Sequence, residues 1–225
     1  MRARGLNVLA IVTAALLASD AMSQGWDRER FAAATRLHEV IVRHPMALVS
    51  QGLEERLRSH AVSIYLVPPE DALLRRMDQA ASIGCWERPG RPPLIALSVS
   101  ISVLLDPRRS DESLMLILWH ETLHLVELET GATDPSVFAP RRLGFPVSRS
   151  FVEMAVRGEF RAYESEFQLG QTLGWPDISP LATTYRVRGR AAMACELIEE
   201  YSRLPLYKGH EDDLVEIAEA WAQEE

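Results

Sequence analysis

The sequence predicts a mainly helical α+β protein in which a small sheet accompanies several long helices. Apolar residues recur at helical spacing over most of the chain, most clearly in residues 111–130 and 149–173. Two shorter stretches, residues 61–67 and 94–105, are rich in β-branched residues, which is typical of strands. The sequence contains no internal repeat, low-complexity segment or linker, so we expect residues 24–225 to form a single domain.

The predicted elements follow one another along the chain with clear stop signals between them. Pro45 ends the first helix, Pro68 ends the first strand, and Pro107 ends the second strand. Gly131 and Gly174 directly follow the two longest helices, where glycine commonly terminates a helix. The expected order is helix, strand, helix, loop, strand and four helices, over residues 27–43, 61–67, 71–83, 84–93, 94–105, 111–130, 149–173, 188–202 and 212–223.

The first 23 residues have the three parts of a secretory signal peptide. Arg2 and Arg4 precede an apolar run over residues 6–18, and Ala21-Met22-Ser23 places small residues at the expected cleavage site. This run of about 13 residues is too short to span a bilayer, which takes roughly 20. We therefore expect residues 1–23 to be removed, leaving an exported protein, periplasmic or secreted, with no stable membrane insertion.

The composition is ordinary for a folded protein, with 47% hydrophobic and 25% charged residues among 225. It excludes a disordered tail, a collagen-like repeat and a multi-span membrane protein. The formal net charge of −8 argues against a nucleic-acid partner, because such partners select basic surfaces. In an oxidising compartment Cys85 and Cys195 can pair or stay as separate thiols, and both alternatives are open.

The strongest functional signal is the motif H-E-x-x-H, formed by His120-Glu121-Thr122-Leu123-His124 within the best predicted helix. Residues four apart lie on one face of a helix, so both imidazoles can reach a single metal ion. Zinc suits imidazole ligands and lowers the pKa of a coordinated water, and Glu121 can take the proton from that water. Apolar residues surround the motif on almost every side of the helix, so we expect it to be buried. A buried set of His and Glu needs partners, which a metal supplies.

This helix resembles the active-site helix of the zincin metallopeptidases. The resemblance covers this helix and one later helix rather than the whole chain. It implies a zincin-like fold with a small sheet flanking the active-site helix, with His120 and His124 as zinc ligands and Glu121 as general base. The metzincin branch is excluded, because Glu127 and Thr130 occupy the positions of its glycine and third histidine.

A third metal ligand is expected from a later helix. The gluzincin branch uses a Glu followed three residues on by Ala or Ser, and Glu159 with Ala162 resembles that pattern. Helical geometry supports the choice, because Glu159 shares a mostly apolar face with small residues. That face consists of Val152, Ala155, Ala162, Tyr163 and Glu166. Glu153 and Glu164 instead lie beside arginines, on faces that we expect to be solvated.

Several roles stay open at this level. The residues that could donate a hydrogen bond to a transition state are Tyr185, Tyr201, Tyr207 and His210. The ligand histidines could be supported by Glu127, Glu166 or a backbone carbonyl. Residues 94–103 could pair with an extended peptide substrate, as a sheet edge does in zincins, or form an ordinary core strand.

The resemblance implies an exported zinc-dependent metallohydrolase of the peptidase class that acts on a peptide or protein substrate. The alternative is a zinc-binding or interaction protein that keeps a zincin-like scaffold without catalysis. Nothing in the residues excludes this alternative, because the base Glu121 is present but the substrate contacts are unassigned.

Overall fold

The structure is a computed structural model of the chain. It describes residues 24–44, 62–67, 81–88, 91–134, 137, 147–176 and 179–224. The predicted signal peptide, residues 1–23, lies outside these ranges. The described chain is mainly helical and contains a three-stranded sheet, which confirms the mainly helical α+β class. Within the same ranges, no helix combines the length and the apolar character needed to cross a membrane.

The chain divides into two compact units, one up to Thr122 and one from Leu123 onwards. The division falls inside the long helix of residues 111–130. Among the described residues, the elements of the first unit are α1 (Gln24–Arg43), β1 (Val62–Val67), β2 (Ala81–Arg88), β3 (Arg91–Ser100), α2 (Ile101–Leu104) and the start of α3 (Asp111–Thr130).

The sheet has the strand order β1-β3-β2. β1 runs parallel to β3, with Val62 opposite Ile95, and β2 runs antiparallel to it, with Ala81 opposite Val99. β3 therefore has a neighbour on each side, and Leu97 at its centre is fully buried. Of the two alternatives for this stretch, the core strand is right, because both edges of β3 are already hydrogen-bonded.

Several boundaries in this region differ from the predictions, and β3 begins at Arg91, within the predicted loop 84–93. The predicted strand over 94–105 ends at Ser100, and Ile101–Leu104 form a short helix with Ile101 and Leu104 buried. The predicted helix end at 81–83 and part of the predicted loop 84–93 form β2 instead. Glycine commonly interrupts strands, but Gly84 lies opposite the buried Ala96 in the sheet, where pairing with β3 outweighs this local tendency.

α1 packs through one apolar face and holds the beginning of α3. Leu37 and Val40 on that face are fully buried. On α1, Arg36 contacts the Asp111 carboxylate through Nη1 at 2.5 Å, and Arg43 forms a second ion pair with it. Asp111 is the first residue of α3, where a carboxylate also interacts favourably with the helix dipole.

The second unit is built from helices. Its elements after α3 are α4 (Arg149–Leu173), α5 (Pro180–Arg188), α6 (Arg190–Tyr201), a 3₁₀ turn (Pro205–Tyr207) and α7 (Glu211–Gln223). The apolar core that they share includes Val156, Phe160, Met193, Leu197, Leu214 and Trp221. α5 was not predicted, although Ser179 caps its first turn and Pro180 begins it. Cys195 on α6 is a free, exposed thiol, and the side chain of Cys85 lies outside the described part of the structure.

α4 begins and ends where the sequence predicts. The Ser148 hydroxyl accepts a hydrogen bond from the Phe151 backbone N–H at 3.2 Å, which caps the first turn. Gly174 has φ of 68°, the left-handed conformation that glycine adopts most easily at the end of a helix. These two caps fix the length of the helix that carries Glu159.

Candidate metal centre

The H-E-x-x-H residues lie in the interior of α3, as their apolar surroundings predicted. Only 7% of His120, 8% of Glu121 and 4% of His124 is exposed. The neighbouring Leu118 and Leu125 are also buried. Burying ionisable groups among apolar ones is costly unless they have polar partners, so these three side chains require such partners.

The structure brings the three predicted ligands together. One ligand atom from each of His120, His124 and Glu159 lies within 4.8 Å of the other two. The His124 Nε2 to Glu159 Oε1 distance is 3.5 Å. Two atoms that each lie 2.0–2.1 Å from a tetrahedral ion are separated by about 3.4 Å. The buried group can therefore bind a metal ion.

α4 presents Glu159 rather than its other acidic residues to this group. Glu153 accepts a hydrogen bond from Arg157 at 3.2 Å, as its position beside arginines predicted. Glu164 is paired with Arg190 at 3.1 Å and is less exposed than expected, with 17% of its side chain accessible. Val152, Ala155 and Ala162 on the face of Glu159 are buried.

Gly158 allows α4 to approach α3 closely. A Cβ atom at this position would lie 3.3 Å from Glu127 Oε2 and 3.9 Å from His124 Cε1. The first separation is tighter than most contacts of a real Cβ, so Glu127 would have to move. The residue that makes room is thus Gly158, in addition to the small residues Ala155 and Ala162 that the sequence indicated.

Glu127 is a buried carboxylate beside the metal group, with 6% of the residue exposed. Arg161 donates to its Oε1 at 2.5 Å, and the Thr133 hydroxyl donates to its Oε2 at 3.2 Å. Burial raises the pKa of the Glu127 carboxyl, but interactions with His124 and Arg161 outweigh burial and bring the pKa below its ordinary value. Among the proposed supports for the histidines, Glu127 lies beside His124, with 3.8 Å between its Oε2 and His124 Nδ1.

Two tyrosines lie beside Glu159. The pKa of Tyr201 is raised well above its ordinary value, first by burial and then by its interaction with the charged Glu159. Burial and the same carboxylate also raise the pKa of Tyr207. The centroids of the two tyrosine rings are 5.7 Å apart. α6 and the 3₁₀ turn thus bring two phenols to the third ligand.

The other two candidate donors have different partners. The Tyr185 hydroxyl donates to Glu164 at 3.4 Å and accepts from Gln168 at 3.1 Å. The His210 ring bridges the Asp213 carboxylate at 2.8 Å and the Val147 carbonyl at 3.0 Å. These contacts tie helices of the second unit together, which favours Tyr201 and Tyr207 as the phenols of the site.

The comparisons with known proteins do not extend this picture. No family model, curated protein or solved structure matches the chain. The case for a metal centre therefore rests on the residues and on their geometry.

Three residues around the site were not singled out by the sequence. Arg161, Thr133 and Gly158 all contact or adjoin Glu127. The usable signal was the position of Glu127 itself, three residues after His124 on the same helical face. An acidic residue at that spacing on a buried helix requires donors from elsewhere in the fold.

Proposed function

We propose that this protein is a zinc-dependent hydrolase of the peptidase class with a zincin-like, gluzincin-type centre. The observation that carries the proposal is the convergence of His120, His124 and Glu159 within 4.8 Å. Three protein ligands leave a coordination position open, which is the arrangement of catalytic rather than structural zinc.

The donor set suits zinc chemically. Two imidazoles and one carboxylate are ligands that zinc accepts, although non-haem iron(II) also uses two histidines and a carboxylate. The glutamate next to His120 favours hydrolysis, because a buried carboxylate at that position of the motif can serve as a general base. Direct metal analysis distinguishes the two ions.

In the proposed reaction, water adds to the carbonyl carbon of a peptide bond and the carbon–nitrogen bond then breaks. Bound zinc would polarise the carbonyl and make water more acidic. Glu121 accepts the proton that the water loses and passes it to the departing amine, so the carboxylate returns to its starting state. His120, His124 and Glu159 would hold the zinc.

We also propose that the protein acts outside the cytoplasm. The support is the pattern of residues 1–23, with a basic start, an apolar run and small residues at the cleavage site. N-terminal sequencing of the exported protein should begin at Gln24, and an intact Met1 in the mature product would contradict this.

The first test is zinc content followed by a peptide-library digest. Purified wild-type protein should contain one zinc per chain, and Glu159→Ala should lose most of it. Cleavage of the library by the wild type would support a peptidase. Full zinc occupancy with no cleavage would instead favour a zinc-binding protein without catalysis, and absence of zinc would contradict the metal centre.

Glu121→Gln tests the general base. The amide cannot accept the proton, so we expect hydrolysis to fall by at least about 100-fold while zinc content is unchanged. Glu129→Gln is the matched control, since Glu129 lies on the same helix but is exposed. Equal activity in Glu121→Gln and the wild type would remove Glu121 from the mechanism.

A further inference from the structure

The carboxylate of Glu127 is held in place by both of its oxygens. Oε1 accepts from Arg161 Nε at 2.5 Å, and Oε2 accepts from the Thr133 hydroxyl at 3.2 Å. Oε2 also faces His124 Nδ1 at 3.8 Å. Only 8% of the Glu127 side chain is exposed, so these groups rather than water define its orientation.

The end of α3 is folded to bring Thr133 to this carboxylate. The backbone N–H groups of Ala132 and Thr133 both donate to the Glu127 carbonyl, at 2.9 and 3.3 Å. This turns the chain back over the last turn of the helix, and Thr133 becomes 98% buried, with 2% exposed. α4 contributes Arg161, and Gly158 leaves the space that the carboxylate occupies.

The two nitrogens of His124 face two different carboxylates. Nε2 lies 3.5 Å from Glu159 Oε1, and Nδ1 lies 3.8 Å from Glu127 Oε2. Since Glu159 is another candidate ligand, Nε2 is the nitrogen of His124 on the side of the candidate metal site. A histidine that binds metal through one nitrogen usually donates a hydrogen bond through the other.

We propose that Glu127 is a positioning residue that accepts the Nδ1–H of His124 and fixes the tautomer and orientation of this ligand. Arg161 and Thr133 hold the carboxylate for that role. The proposal rests on the metal centre of the proposed function but does not require hydrolysis. The 3.8 Å separation exceeds a hydrogen bond, and we expect it to shorten toward about 3 Å when the ring is held by a metal.

A simpler interpretation is that Glu127 and Arg161 only tie α3 to α4. Loss of such a tie lowers the stability of the metal-free protein and leaves the intrinsic metal affinity of the folded protein unchanged. A positioning role instead makes metal affinity sensitive to Glu127. The two interpretations therefore differ in a measurement made without any substrate.

The test measures the Zn²⁺ dissociation constant by competition with a chromophoric chelator, with thermal unfolding of the metal-free protein as a check of folding. Glu127→Gln should raise the dissociation constant about 10- to 100-fold. Glu164→Gln is the matched control, because Glu164 is also a largely buried carboxylate paired with an arginine but belongs to another ion pair. Its zinc affinity should equal that of the wild type.

If Glu127→Gln does not fold, Thr133→Val tests the same idea with a milder change. This substitution removes one donor to Glu127 Oε2. It should raise the Zn²⁺ dissociation constant less than the roughly 10- to 100-fold expected for Glu127→Gln. A folded Glu127→Gln variant with the zinc affinity of the wild type would contradict the positioning role of Glu127, and so would such a Thr133→Val variant where Glu127→Gln does not fold. Neither result would contradict the metal centre itself. Weakened affinity in a protein that cleaves no peptide would support Glu127 while contradicting the hydrolase, and a wild type that binds no zinc would end both proposals.

Discussion

Glu159 is the most accessible of the three candidate ligands, with 29% of its side chain exposed against 5% for His124. An exposed carboxylate has more rotamers to choose from than a buried imidazole, so its orientation depends more on its neighbours. Tyr201 interacts with Glu159, and Tyr207 packs beside Tyr201. The two phenols thus restrict the side chain of Glu159, the most exposed of the three candidate ligands.

Tyr201→Phe should weaken zinc binding without unfolding the protein. The ring and its packing are kept, but the interaction of the hydroxyl with Glu159 is lost, so we expect the Zn²⁺ dissociation constant to rise up to about tenfold. Tyr185→Phe is the control, because the Tyr185 hydroxyl contacts Glu164 and Gln168 instead. An unchanged dissociation constant in Tyr201→Phe would show that Glu159 needs no such support.

At the residue scale, the sequence predicted the positions that helical spacing determines and missed the others. His120 and His124 share a face because they are four apart, and Glu159 could be selected by the apolar character of its face. Arg161 and Thr133 could not be found this way. Their role depends on how two helices approach and how the chain turns after α3, which no local pattern encodes.

Among the elements, α1 and α3 are joined through Asp111. Burial raises the pKa of this carboxyl, but the hydrogen bond from Arg43 and the charges of Arg36 and Arg43 outweigh burial and lower it below its ordinary value. Asp111 is mostly buried, with 13% of its side chain exposed, while Arg43 is largely exposed. The pair is therefore partly screened by solvent.

Asp111→Asn should lower the free energy of unfolding by about 1 kcal/mol at pH 7. Because the pKa is lower in the folded state, the carboxylate stabilises the fold above about pH 4, the ordinary value for aspartate. That contribution is lost as the pH falls through the folded value, so the difference from the wild type should shrink in acid. Urea unfolding at pH 7 and at pH 3 measures both effects.

Asp212→Asn provides the comparison for this experiment. Asp212 is also an acidic residue in the first turn of a helix, but it is exposed. We expect a much smaller change in stability from this substitution. Similar losses in the two variants would mean that the helix dipole, and not the arginines of α1, accounts for the effect of Asp111.

The sheet shows where element-level prediction reached its limit. Long, strongly apolar helices such as α3 and α4 were predicted with their bounds, because many residues contribute to each pattern. β2 was missed, since its eight residues include Gly84 and owe their extended form to pairing with β3. Strand pairing depends on residues distant in sequence, and local propensity is a weak guide to it.

For the whole molecule, metal removal should lower the unfolding temperature. A ligand at 1,000 times its dissociation constant stabilises the folded state by about 4 kcal/mol, which corresponds to roughly 8–16 °C for a chain of this size. Thermal unfolding with excess zinc, and again after treatment with a chelator, measures the difference. In Glu159→Ala, chelator treatment should lower the unfolding temperature much less. An effect as large as in the wild type would show that the stabilising metal binds at a site that does not include Glu159.

Arg161 pairs with Glu127, and Gly158 leaves the space that the Glu127 carboxylate occupies. These dependences should constrain how the three residues vary among related chains. The three candidate ligands, Glu121, Glu127, Gly158 and Arg161 fall in two short segments, H-E-x-x-H-x-x-E over 120–127 and G-E-x-R over 158–161. A relative without an acid at position 127 has no ion-pair partner for an arginine at position 161. A side chain at position 158 would crowd that acid and require it to shift. We therefore expect positions 127, 158 and 161 to vary together among homologues, so that the two segments can serve to recognise them.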